Sequence, residues 1–160
     1  MSLYAASVPV FLHYLGQMRG MLAQGDLTAQ IANSFPAGQQ FATAIGFSLR
    51  ATYPLVGRTV PTLQGSLTVA GLRARIGVAD AALRALSPED FVGAEARIIR
   101  HQAGQAMLEQ TGADYLHLYA MPNFFFHLTM GYAALRAGGA NLGKADFDGF
   151  HAYPAGFRFA

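Results

Sequence analysis

The side chains best suited to chemistry in this sequence lie in one apolar stretch, where Asn123 and His127 are four residues apart. Four residues turn a helix to about 40° from the starting direction, so the amide and the imidazole share a helical face. An imidazole can bind a metal, accept a proton or donate a hydrogen bond. An amide oxygen is a poor ligand for zinc or nickel and is better suited to hydrogen bonding. We therefore predict a polar pocket on this face, with His127 as its principal residue.

Two further side chains are candidates for the same pocket. Gln40, near the start of a second predicted helix, would face Asn123 and His127 with another amide. His117 could approach them across Pro122, although a structural role is the simpler interpretation of His117. A core histidine that is hydrogen-bonded to a neighbour likewise remains the simpler alternative for His127. We predict all four side chains as ligand-binding residues, and no metal ligand unless it is His127.

The other histidines receive no role in this site. We expect His13 on a solvated helix face, His101 on a hairpin and His151 in the C-terminal tail. The chain has no cysteine, which excludes disulfides, thiolate zinc sites and cysteine nucleophiles. It also has no Gly-x-Ser-x-Gly elbow and no glycine-rich phosphate loop after a strand. The nine carboxylates form no recognisable acid–base pair, so the residues do not decide whether the protein is an enzyme.

The composition is that of one folded domain. The 160 residues are 52% hydrophobic and only 12% charged, about half the usual charged share. This surplus of apolar side chains favours an oligomeric interface or a large buried cavity, and we expect a homodimer. The net charge is only +2, and the 11 basic residues are spread along the chain, which argues against a nucleic-acid partner.

Polar residues also break every long apolar run in the sequence, so we expect no transmembrane span. No Lys or Arg precedes the apolar residues of the N-terminus, which gives a signal peptide little support. From both observations we expect a cytoplasmic protein.

Apolar residues at spacings of three and four predict the helices that must position the pocket. They cover residues 3–24, 36–53, a third helix that opens at Pro61 and passes residue 86, and 122–137. Pro122 disfavours helical geometry before it, so we expect a break between a short helix and the last long helix. We also predict that this last helix is central, with the apolar run 124–126 in the core. Residues 97–102 and 105–109 alternate and predict a hairpin. The fold class predicted is all-α, a four-helix bundle with a small β-hairpin before the last helices.

Glycines are frequent within these predicted helices. Each costs roughly 0.5–1 kcal/mol relative to alanine unless it permits close approach of another helix. We expect tight packing to be the reason for these seven: Gly16, Gly20, Gly46, Gly65, Gly71, Gly77 and Gly131.

The C-terminal tail is rich in aromatic residues. Its members are Phe147, Phe150, Tyr153, Phe157 and Phe159. Because this many large apolar side chains must be shielded from water, we expect the tail to be ordered and to pack on the helices or on a partner. The predicted organisation is one bundle domain, residues 1–149, with an aromatic extension, residues 150–160.

Two stretches of the chain resemble a known family: YAASVPVFLHYLGQM near the N-terminus and ADYLHLYAMPNFFFHLTMGYAALRAGGANLGKADFDG. They resemble a bacterial domain-of-unknown-function family, number nineteen-ninety-three, of the DinB-like, YfiT-like superfamily. The resemblance covers residues 4–149. Characterised members of the superfamily include hydrolases and thiol-dependent transferases that use zinc or nickel. The resemblance implies a DinB-like four-helix bundle, often a homodimer.

The resemblance also implies where a metal site would lie. In the superfamily, one histidine stands near the start of the second helix and two form His-x-x-x-His on the last. At those places this sequence has Gln39-Gln40 and Asn123-Phe-Phe-Phe-His127, so one imidazole of three remains. We therefore expect no bound cofactor, with His127 as the ligand if zinc or nickel does bind.

Three functions are compatible with these observations. The first is a diverged DinB-like protein with a degenerate metal site, which binds a small molecule in a cavity near His127. The second is a metal-dependent hydrolase or thiol S-transferase whose metal shell is completed by water and other side chains. The third is a structural homodimer without a ligand.

Overall fold

The described residues of the computed structural model, 2–154 and 156–157, form a mainly helical fold with a small antiparallel sheet. The helices are α1 Leu3–Met21, α2 Ala37–Thr52, α3 Val69–Arg84, α4 Gly112–Asp114, α5 Met121–Ala137 and α6 Lys144–Asp148. The strands are β1 Ile98–Ala103 and β2 Ala106–Thr111. Short 3-10 turns cover Pro54–Val56 and Pro88–Phe91, and a π-helical segment covers Tyr115–Ala120.

The first and third helices were predicted from apolar seams, that is, from apolar residues at spacings of three and four, and both seams are confirmed as buried. Their members are all buried: Val8, Phe11, Leu15, Met18 and Leu22 from the first seam, and Leu72, Ile76, Ala79, Leu83 and Leu86 from the second. The start of the third helix was wrong, since α3 begins at Val69 and not near Pro61. The Thr68 hydroxyl accepts a hydrogen bond from the Gly71 N–H and caps the helix there.

Helix α2 is the most enclosed of the long helices: it packs on α5, α3 and α1, and 12 of its 16 residues are buried. The expectation that the last helix is central was therefore wrong. Five of the 17 residues of α5 are buried. A helix with neighbours on several sides must be apolar on several sides, as α2 is. Since α2 and α5 are direct neighbours, their facing side chains form the candidate site.

The predicted break before Pro122 is absent. Asp114, Tyr115, Ala120 and Met121 all have right-handed helical geometry, so α4, the π segment and α5 follow one another without a break. The Met121 N–H donates to the carbonyl five residues back, as in a π-helix. In a regular α-helix the proline ring would clash with the carbonyl four residues before it. The wider turn ahead of Pro122 accommodates the ring instead of ending the helix.

The hairpin is confirmed close to its predicted bounds. The register pairs Ile98 with Thr111 and Ala103 with Ala106. Gly104 has φ +60° at the turn, a conformation that glycine adopts at low cost. The hydroxyl of Thr111 then accepts a hydrogen bond from the N–H of Asp114, which caps α4 directly after the second strand.

The described part of the tail folds back on α1. Phe147 lies on α6, which the sequence did not predict, and packs against Tyr14 and Tyr132. Phe150 stacks on His13 at 4.9 Å between ring centroids, although it is 78% exposed.

The expectation that His13 faces solvent was wrong. Its ring is half-buried, and its Nε2 lies 2.7 Å from the carbonyl oxygen of Asp148. Further along the tail, Tyr153 and Phe157 stack on each other. Phe159 and Ala160, which also belong to the predicted aromatic extension, lie outside the described residues. Among the helices that the structure describes, none is long and apolar enough to cross a membrane.

Candidate functional site

The candidate site begins with a hydrogen bond between α2 and α5. The Nδ1 of His127 lies 2.7 Å from the Oε1 of Gln40. Gln40 is only 2% exposed, and its amide nitrogen donates to the Phe35 carbonyl at 3.4 Å. Because the amide oxygen can only accept, Nδ1 carries the proton and Nε2 carries the lone pair. The pair is therefore fixed in one tautomer by a buried amide.

Aromatic rings and a cation set the electrostatics of His127. Phe47 stacks on the imidazole, with ring centroids 5.7 Å apart and an interplanar angle of 18°. The guanidinium carbon of Arg50 lies 3.9 Å from the centre of the Phe47 ring. Burial, and to a smaller extent the charge of Arg50, lower the pKa of His127 below its ordinary value. The imidazole is consequently neutral at pH 7, and its Nε2 is a hydrogen-bond acceptor.

The other two predicted site residues have different partners. The Asn123 amide nitrogen donates to the Tyr119 carbonyl at 2.8 Å. His117 is exposed on the π segment. Within the part of the chain that the structure describes, no hydrogen bond or ring contact joins either of them to His127. Of the four predicted residues, the structure thus brings together Gln40 and His127.

The residues at this position do not fit a catalytic zinc or nickel centre. Such a centre uses about three imidazole, thiolate or carboxylate ligands that converge on one point. Among the residues that the structure describes, no group of three His, Asp or Glu side chains is placed to do so. The Gln40 oxygen already accepts the proton of His127 Nδ1. Gln40 and His127 therefore form a hydrogen-bonding pair and not part of a metal centre of this kind.

A small pocket lies next to the Gln40–His127 pair, since Phe47 both stacks on His127 and lines the pocket. We call it the aromatic pocket; its volume is about 200 Å³, and its lining residues are Phe47, Arg50, Pro54, Val60, His101, Gln102, Tyr115 and Tyr119. The Tyr115 hydroxyl donates to the Arg50 carbonyl at 2.7 Å, and burial raises the pKa of Tyr115 to about 12. Tyr115 therefore stays neutral, and Arg50 is the charged group of the lining.

His101 is a pocket residue that the sequence analysis did not assign. Its ring lies 4.8 Å from Tyr115 and 4.2 Å from Tyr119, centroid to centroid. Its Nε2 is 2.8 Å from the Gln110 oxygen, and its buried Nδ1 has no hydrogen-bond partner among the described residues. Side chains two residues apart share a strand face, so His101 lies on the side of buried Ile99. The alternation that predicted the hairpin could therefore have placed His101 on the buried face of the strand.

A second cavity, of about 790 Å³, lies between α5 and the tail. It is larger, but no histidine is among its described lining residues, and much of its wall is the described part of the tail. The cations among those described residues are Arg136 and Lys144. Because ligand sites combine an apolar lining with a few well-placed polar groups, we assign the candidate site to the aromatic pocket and the neighbouring Gln40–His127 pair.

Comparisons with known proteins agree with this architecture. The model of a domain of unknown function, DUF1993, matches residues 3–148 and ends before the aromatic extension, residues 150–160. A crystal structure of a DinB family member protein from Shewanella denitrificans, at 1.83 Å resolution, is similar to this chain with a TM-score of 0.79. The two are 26% identical, and the match covers 96% of this chain and 95% of that chain. No curated protein matches the sequence.

Proposed function

The chain belongs to the DUF1993 family and is related to proteins of the DinB-like fold, and from this premise we propose that it binds a small molecule at a degenerate metal site. In this proposal the long helices α1, α2, α3 and α5 form a DinB-like four-helix bundle. The tail is an extension of the same domain. The ligand binds between α2 and α5, at the Nε2 of His127 and against Phe47.

The observation that carries the proposal is the hydrogen bond between Gln40 and His127. By resemblance, these residues stand where the superfamily has two of its three histidines. An amide donates and accepts hydrogen bonds but is a poor ligand for a transition metal. Gln40 orients the imidazole much as a carboxylate or carbonyl orients a metal-binding histidine from behind. The site at Gln40 and His127 thus retains one oriented imidazole and lacks the other strong metal ligands.

His127 then acts as an acceptor for a ligand N–H or O–H group. Its lowered pKa keeps the ring neutral, and a neutral Nε2 has a lone pair but no proton. Phe47 offers an apolar surface directly beside it. Together they suit a small molecule with an apolar body and one hydrogen-bond donor.

One observation favours the second candidate, a metal-dependent hydrolase or thiol S-transferase. A neutral imidazole with a free Nε2 is the form that binds a metal. In that alternative, His127 would be one metal ligand. The other metal ligands would be water and side chains that are not oriented towards His127 in this structure.

Metal content separates the two candidates. Protein without a histidine tag should purify with no stoichiometric zinc or nickel. The variant Gln40→His/Asn123→His restores the superfamily's donor set and should bind about one metal ion per chain. A further His127→Ala change should abolish this binding. About one metal ion per chain in the unaltered protein, lost in His127→Ala, would overturn the degenerate-site proposal.

A fragment screen read by NMR tests the ligand. Fragments that carry an N–H or O–H donor should shift the Cε1–H signal of His127. The Cε1–H signal of His13, which is bonded to the Asp148 carbonyl, is the internal control. If no donor fragment moves the His127 signal selectively, His127 is not a ligand-binding residue.

A further inference from the structure

We propose that the aromatic pocket binds a small organic anion with a flat apolar body, an aromatic carboxylate being the simplest example. The carboxylate pairs with the guanidinium of Arg50, and the ring lies among Phe47, Tyr115 and Tyr119. This inference rests on the proposed function in one respect, the binding of a small molecule. It adds a second chemical class of ligand, an organic anion, and a location that the sequence did not indicate.

The charge of the pocket comes from Arg50. None of the described residues that line the pocket carries a carboxylate. Three other arginines, Arg58, Arg84 and Arg100, form salt bridges with Asp90, Asp80 and Glu109. Among the residues that the structure describes, the Arg50 side chain has no such partner and lies over the Phe47 ring. Its donors remain available, and a guanidinium matches the two oxygens of a carboxylate in geometry.

The walls of the pocket select a flat, apolar ligand body. Three aromatic rings, Phe47, Tyr115 and Tyr119, face it together with Pro54 and Val60. Its volume of about 200 Å³ is below the roughly 300 Å³ at which sites for drug-sized molecules begin. A single aromatic ring with one charged substituent fits that space, whereas a nucleotide does not.

Three features of the walls indicate a constructed site. The π-helical segment supplies both tyrosines, and π-helical turns are rare and occur frequently at functional sites. The Tyr115 hydroxyl is anchored on the Arg50 carbonyl, which joins the π segment to α2. The buried Nδ1 of His101 has no hydrogen-bond partner among the described residues, and native folds leave few such groups unpaired.

Benzoate is the probe, and benzamide is its neutral counterpart of the same shape. In a titration followed by NMR at low salt, benzoate should shift the ring signals of Tyr115 and Tyr119 saturably. Benzamide should bind about tenfold more weakly or worse, because it lacks the charge that pairs with the guanidinium. Equal affinity of the two compounds, or no shift at either tyrosine, would overturn the proposal.

Two arginine variants locate the anion. Arg50→Gln should weaken benzoate binding about tenfold or more. Arg136→Gln should leave it unchanged, since Arg136 also lies over a tyrosine ring, Tyr132, but lines the other cavity. Equal losses in both variants would mean non-specific attraction and would refute the site. Circular dichroism and the melting temperature establish that each variant is folded.

The fragment screen and the benzoate titration together separate this inference from the proposed function. If donor fragments shift His127 while benzoate fails at the tyrosines, the ligand class is wrong and small-molecule binding stands. If benzoate binds and no fragment reaches His127, the aromatic pocket is a site and the role of His127 is wrong.

Discussion

At His127, burial and hydrogen bonding act differently on the two ring nitrogens. Nδ1 is held by the Gln40 amide at 2.7 Å, while Nε2 keeps its lone pair. Burial removes water that would stabilise the charged ring, and the cation of Arg50 adds to this effect. Both causes favour the neutral imidazole, so the side chain is prepared as an acceptor and not as a cation.

This environment predicts how stability depends on pH. A histidine with a lowered pKa in the folded state is protonated more readily when unfolded. Its favourable contribution is present above the ordinary pKa of about 6.5 and is lost as the pH falls through the lower folded value. The free energy of unfolding, measured by urea denaturation, should fall more between pH 7 and pH 5 in the unaltered protein than in His127→Gln. Equal losses in both would contradict the lowered pKa.

The share of Arg50 in this shift can be measured directly. Arg50→Gln removes the smaller of the two causes and leaves the burial of the ring intact. The pKa of His127, followed by NMR at Cε1–H, should therefore rise in the variant and remain below about 6.5. A value at or above 6.5 would mean that charge, and not burial, dominates.

Part of the site was predictable because Gln40 and His127 lie on two predicted helices that a helical bundle can pack together. Both were predicted as candidates for one pocket, and the structure brings those two together. The direction of each side chain was not predictable. The Asn123 amide donates to the Tyr119 carbonyl in the preceding π segment. His101 enters the aromatic pocket only because the hairpin packs beside the π segment.

At the scale of elements, the contact between α2 and α5 is set by a glycine. A Cβ added to Gly131 would lie 2.7–3.0 Å from three atoms of the Phe41 ring, which is fully buried. At Gly16, Gly20 and Gly77 no described atom, apart from the chain neighbours and the backbone of their own helix, lies within 4 Å of the added Cβ. The expectation of tight packing was therefore correct at Gly131 and wrong at those three.

Two alanine substitutions should have opposite effects on stability. Gly131→Ala forces the buried Phe41 ring or the helices apart and should cost about 1–3 kcal/mol of unfolding free energy. Gly77→Ala, on an open face of α3, should stabilise by about 0.5–1 kcal/mol because alanine is the better helix former. Urea denaturation of both variants is the measurement. A Gly131→Ala protein as stable as the original would show that α2 and α5 separate easily.

The attachment of the tail depends on Asp148. Its carboxylate accepts hydrogen bonds from the backbone N–H groups of Phe150 and His151 and contacts the imidazole of His151. Asp148→Ala should accelerate amide hydrogen exchange at Phe150 and His151. Asp148→Asn, which keeps one acceptor oxygen, should do so less. Unchanged exchange in the alanine variant would mean that His13 and Phe147 hold the tail without the carboxylate.

Elements were predictable where their signal is long and periodic. The seams of α1 and α3 repeat over four turns, and alternation revealed the hairpin. Helix α6 has only five residues, too few for a period to be visible. The π segment was not foreseen because the rule against proline inside a helix assumes α geometry, and a wider turn before Pro122 avoids the clash.

At the scale of the whole molecule, apolar residues remain at the surface beside the site. Leu118 is 71% exposed and Phe126 is 57% exposed, and exposed Pro122 lies between them at spacings of four. The expectation that residues 124–126 are all core was thus wrong for Phe126, while Phe124 is fully buried. The three residues form one stripe along the π segment and α5.

We propose that this stripe is the contact of a symmetric homodimer. A stripe on one helix can face its own copy across a two-fold axis, which buries the same side chains on both protomers. Sedimentation velocity at micromolar concentration should show a dimer. Leu118→Glu/Phe126→Glu places like charges opposite each other in that contact and should yield a folded monomer. Val92→Glu is the matched control, because Val92 is 78% exposed and lies elsewhere on the surface. A monomeric unaltered protein, or dissociation by Val92→Glu as well, would contradict this interface.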